Sequence, residues 1–92
     1  MNHSKHLSEA EVEATTQFVR GLICAGLHMK PEDLPDRRNF YELGADSVDT
    51  ASWVAACEKE FDIIIANREP SVLDTPADMI DMVIEARAKL AR

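Results

Sequence analysis

Ser47 stands between two carboxylates, Asp46 and Asp49, in the stretch Leu43-Gly44-Ala45-Asp46-Ser47-Val48-Asp49-Thr50. A hydroxyl in that setting can be a helix cap, a catalytic nucleophile or a point of attachment. Catalysis needs a general base and an oxyanion site, and the Gly-x-Ser-x-Gly elbow is missing, because the flanking positions hold Ala45 and Asp49. His3 and His6 lie in the N-terminal stretch and His28 opens a loop, so no triad is suggested and no catalytic residue is assigned. The residues before Ser47 read as a loop, with the breakers Pro31, Pro35, Asp36, Arg37, Arg38 and Asn39. Those after it read as a helix from Val48 to about Phe61 with no Pro or Gly inside. Gly44 permits a sharp turn, and either Asp46 or Ser47 can cap the first free N–H groups. Ser47 is thereby placed at the positive end of a helix, which favours a phosphate. A serine so placed is a reachable point for a phosphate-linked group.

The motif Gly44-Ala45-Asp46-Ser47-Val48-Asp49-Thr50, with Phe40 and Leu43 before it and Glu58-Lys59-Glu60-Phe61 after it, resembles the acyl carrier protein family. The resemblance runs from about Val12 to Ala88. It implies that Ser47 carries 4′-phosphopantetheine, with Asp46 and Val48 as flanking recognition residues, and that acyl or aminoacyl cargo rides on the terminal thiol as a thioester. It also implies the partners: a phosphopantetheinyl transferase, a cargo-loading ligase or transferase, and downstream acyl- or aminoacyl-processing enzymes. The docking surface of such a protein falls here on Val48, Asp49, Ala51, Ser52, Ala55, Lys59 and Arg68. In relatives the outward side of this helix is more acidic with larger apolar residues, and an acidic pair stands where this chain has Arg68-Glu69. These departures point to a specialised carrier rather than a housekeeping fatty-acid one. The alternative from another class is a helical protein-interaction module with no prosthetic group.

Composition sets the frame. Ninety-two residues, 46% of them hydrophobic, make one small domain. The aromatics are limited to Phe18, Phe40, Tyr41, Trp53 and Phe61, and no long alternation of β-branched and polar residues appears, so the domain reads as all-helical with an aliphatic core. A net charge of −7 argues against nucleic acid and suits basic patches on partner proteins. No stretch has the length of a spanning helix, so membrane insertion is not expected, and a cytoplasmic monomer is. Cys24 and Cys57 fall in different predicted helices and read as free thiols; neither they nor the histidines show metal-ligand spacing.

The expected architecture is an all-α four-helix bundle, three long helices and one short, with a long loop between the first two. Residues 1–7 are expected as a flexible tail and 8–92 as the helical domain. Ser8 with Glu11 forms a capping box, with Leu7 and Val12 as a hydrophobic staple. Val12, Val19, Ile23 and Gly26 share a stripe while Glu13, Gln17 and Arg20 face away, and the helix is expected to end near Gly26, a residue suited to a C-terminal cap. Leu34, Phe40 and Leu43 should anchor the loop, with one helical turn at Pro31–Leu34. In the second helix Thr50, Trp53, Val54, Cys57 and Phe61 face inward, and Val48, Ala51, Ser52, Ala55, Glu58 and Lys59 outward. The run Ile63-Ile64-Ile65 should tuck between helices. A short third helix is expected within 67–73, and Thr75-Pro76-Ala77-Asp78 begins the last helix, with Met79, Val83, Ala86 and Leu90 inward and Arg87, Lys89 and Arg92 near its C-terminus.

Trp53 is the one bulky residue where the resemblance implies a smaller aliphatic one, lining an interior that can shelter an acyl chain. An indole there favours short or polar cargo; the other reading is that Trp53 packs the core and a cavity lies elsewhere.

Overall fold

The computed structural model describes residues 7–65 and 70–90. Among them are three α-helices and no strand: α1 (Glu9–Leu27), α2 (Ser47–Phe61) and α3 (Pro76–Leu90), with a 3₁₀ turn at Pro31–Asp33. The expected short helix within 67–73 lies partly outside the described residues; its described part, 70–73, is not helical. Of the expected tail, residues 1–6 also lie outside them.

Each helix begins with a reciprocal capping box. Ser8 Oγ accepts from the Glu11 N–H at 3.1 Å and the Glu11 carboxylate accepts from the Ser8 N–H at 2.8 Å. Asp46 and Asp49 exchange two such bonds at 2.9 Å, and Thr75 and Asp78 two at 3.0 and 3.1 Å. Each box satisfies two backbone donors that the helix leaves without partners.

Both α2 and α3 pack against α1. The core joins Val19, Ile23 and Cys24 of α1, Trp53 and Cys57 of α2, and Met79, Ile80 and Val83 of α3, with Leu34, Phe40, Ala45 and Ile63 from the connections. The stripe of α1 is rotated from expectation, since Thr15 is fully buried and Val12 is not. On α3, Ile80 turns inward and Leu90 is mostly exposed. Of the Ile63–Ile65 run only Ile63 is buried, while Ile64 faces solvent.

Four residues play parts beyond those expected. The helix ends at Leu27, near Gly26 as expected, but the left-handed cap is His28, at φ 58°, and not Gly26. Gly26 is instead a notch, because a Cβ there would lie 2.7 Å from Trp53 Cζ2 and 2.8 Å from its Nε1. Arg20 does not face away: it pairs with Asp36 and donates to the Pro31 carbonyl at 2.6 Å, tying α1 to the loop. Glu58, expected outward, bends back so that its carboxylate accepts from the Ile65 N–H at 2.9 Å. Arg87, more than a charge at a helix end, donates to Thr15 Oγ1 at 2.7 Å and lies 4.3 Å from the centre of the Phe61 ring. Phe61 in turn meets Phe18 edge-on, with ring centres 5.3 Å apart.

Candidate functional site

The backbone is prepared for Ser47 several residues upstream. Asn39 Oδ1 accepts from the Glu42 N–H at 2.8 Å and starts a tight turn. The Gly44 N–H donates to the Tyr41 carbonyl at 3.1 Å and the Ala45 N–H to the Phe40 carbonyl at 2.9 Å. With Gly44 at φ 92°, this is a Schellman ending in which the left-handed residue is glycine. Phe40 and Ala45, both buried, make its apolar seal. The signal for this turn was present in the sequence as Asn39 five residues before Gly44, although the segment reads there only as a breaker-rich loop.

Three backbone bonds dock the loop onto the segment that leads into α3. The Phe40 N–H donates to the Asp74 carbonyl at 2.9 Å, the Tyr41 N–H to the Val72 carbonyl at 2.9 Å, and the Ala77 N–H to the Asp36 carbonyl at 3.1 Å. Leu34 and Phe40 are buried and Leu43 is half-buried, so the expected anchors do hold the connection.

The chain then enters α2. Asp46 is the N-cap, extended at φ −116°, and Ser47 is the first helical residue, one position earlier than expected. The cap bonds belong entirely to Asp46 and Asp49, and Thr50 Oγ1 donates to the Ser47 carbonyl at 3.1 Å. The Ser47 side chain is exposed, and among the described residues its hydroxyl has no hydrogen-bond partner. The helix cap therefore does not use this serine. The N–H groups of Ser47 and Val48 have no intrahelical acceptor and point where a phosphate would be welcome.

The chain matches the family model described as "phosphopantetheine attachment site" over residues 17–83. It belongs to that family. The match spans all of α2 and the loop before it, and reaches into both flanking helices. The protein is thus a carrier protein whose prosthetic group is 4′-phosphopantetheine. No solved structure matches the chain.

The residues present fit such a group: an exposed, unengaged hydroxyl at the start of a helix, with unpaired amides beside it. Of the other residues expected on the outward surface, Val48 is 73% exposed, and Ala51, Ser52, Ala55 and Lys59 are exposed along the same helix. Asp49 is half-buried, its carboxylate turned back to the Asp46 N–H. Arg68 lies outside the described residues. Sequence reasoning did not anticipate Tyr41 and Leu73, 71% and 74% exposed on segments joined by the Tyr41–Val72 bond.

The two thiols are free and buried. Burial pushes the Cys57 thiol up to about 12, with Glu58 and Glu60 adding to it. Burial also raises Cys24. No helix among the described residues is long and apolar enough to cross a membrane.

Proposed function

We propose that Ser47 is the residue that receives 4′-phosphopantetheine. The observation that carries this reading is the division of labour at the start of α2: Asp46 and Asp49 cap the helix, which leaves the Ser47 hydroxyl exposed and without a partner. Its oxygen is the nucleophile that a phosphopantetheinyl transferase would direct at the pyrophosphate of coenzyme A, with the nucleotide half leaving. The group, once attached, supplies a flexible arm ending in a thiol that holds an acyl or aminoacyl unit as a thioester. The chain's own share is to present that oxygen on a rigid helix start, to favour the phosphate with the Ser47 and Val48 amides, and to offer the outward face of α2 to partners. Those partners would be the transferase, a cargo-loading ligase or transferase, and enzymes that consume the cargo.

Val48, Ala51, Ser52, Ala55 and Lys59 make that face small, nearly neutral and open, which supports a dedicated partner set rather than enzymes that grip an acidic helix. Incubation with coenzyme A, Mg²⁺ and a broad-specificity phosphopantetheinyl transferase, followed by mass spectrometry, tests the assignment. One phosphopantetheine is expected on a peptide containing Ser47 and none on the Ser47→Ala protein. An unchanged wild-type mass, or attachment at another serine, would overturn it.

A further inference from the structure

Trp53 lies on the inward face of α2, six residues after Ser47, which is about 9 Å further along the helix. It is 6% exposed. Its indole is seated in the gap left by Gly26 on α1, so closely that even a methyl group there would meet Cζ2 at 2.7 Å. The Phe40 ring, itself fully buried, lies with its centre 5.5 Å from that of the indole. Between Ser47 and this aromatic pair stands Thr50, 1% exposed, whose hydroxyl is bonded to the Ser47 carbonyl. A group leaving Ser47 for the seam between α1 and α2 would therefore meet a polar residue and then two interlocked rings.

A long alkyl chain in water is driven toward any apolar room within reach, and a seam filled by an indole offers none. We infer that the Gly26–Trp53 interlock closes the seam between α1 and α2 to long alkyl chains, so that the cargo of this carrier is a short acyl unit held outside the bundle. The inference rests on Ser47 as the point of attachment.

The protein's single tryptophan reports on the question directly. Protein loaded with alanyl, acetyl, hexanoyl and dodecanoyl arms is compared by melting temperature and Trp53 emission. The wild type is expected to melt within about 1 °C across the series with unchanged emission, whereas Trp53→Leu should melt higher with each longer chain. A stepwise rise in the wild type, with a shift in Trp53 emission, would overturn the inference. Free dodecanoyl-pantetheine titrated into the unmodified wild type gives a readout that needs neither attachment nor the variant: no saturable change in Trp53 emission is expected, and a saturable one would overturn the interlock. If mass spectrometry places no arm on Ser47, the attachment reading fails by itself, and the titration still decides whether the interior admits a chain.

Discussion

Two helices of this protein begin with a serine and a reciprocal box, and the two serines have opposite fates. At α1 the serine is the cap, and Ser8 Oγ is engaged in holding the Glu11 amide. At α2 the cap is Asp46, and Ser47 stands one place further on with its hydroxyl unspent. Residue type and helix position are nearly the same. Availability is decided by a one-residue difference in frame.

The sharpest test of that contrast is a pair of exchanges with crossed outcomes. Ser47→Ala should abolish phosphopantetheinylation outright while leaving the melting temperature nearly unchanged, because no bond of the hydroxyl is lost. Ser8→Ala should be modified as fully as the wild type yet lose about 1 kcal/mol of stability in urea unfolding. Should both serines prove dispensable for folding, or both necessary for modification, the distinction between them collapses.

Gly26→Ala probes whether the frame at Ser47 depends on the seam between α1 and α2. Alanine in a helix ordinarily improves on glycine, but here the new Cβ strikes the indole, and a net loss of about 1–3 kcal/mol is expected. Replacing Trp53 by Leu in the same protein should remove most of that loss, read as a coupling in a double-mutant cycle. The folded Gly26→Ala protein should still be modified at Ser47.

Cys57 sharpens the comparison within α2 itself, being a better nucleophile by type than Ser47 but fully buried. Folded protein should resist a thiol reagent at pH 8. The unfolded thiol ionises near its ordinary value while the folded one waits until about pH 12. Stability should therefore fall as pH rises above about 9, with a shallower slope in Cys57→Ala.

The smallest effect belongs to Glu11, whose carboxyl is held below its ordinary value by the Ser8 N–H and then by the Ser8 hydroxyl. Its stabilisation is present above the unfolded value and fades as pH falls through the lower folded one. Glu11→Gln should flatten that acid limb slightly.

What could be read beforehand follows the range of the interactions. The caps at Ser8 and Thr75 and the glycine turn at Gly44 are local, built from residues within a few positions, and their sequence signals suffice. At Asp46-Ser47 both residues are good caps, and the choice fell to Asp46 because Asp49, three residues on, can return the bond. The seat of Trp53 on Gly26 and the bond from Arg87 to Thr15 join residues far apart in the chain. Nothing in periodicity reveals such pairings, so Gly26 read as a residue suited to a helix cap and Arg87 as a charge suited to a helix C-terminus. The placing of Ser47 at a helix start was legible for the same reason the caps were, whereas the exposed Tyr41 and Leu73 come onto joined segments only through the folded loop.

The bonds from Phe40 and Tyr41 to Asp74 and Val72 have a mechanical consequence. They brace the approach to Ser47 against the threshold of α3, although neither segment has regular structure. A load on Tyr41 must therefore strain the entry of α3 as well, so the loop ahead of Ser47 and the start of α3 move as one piece.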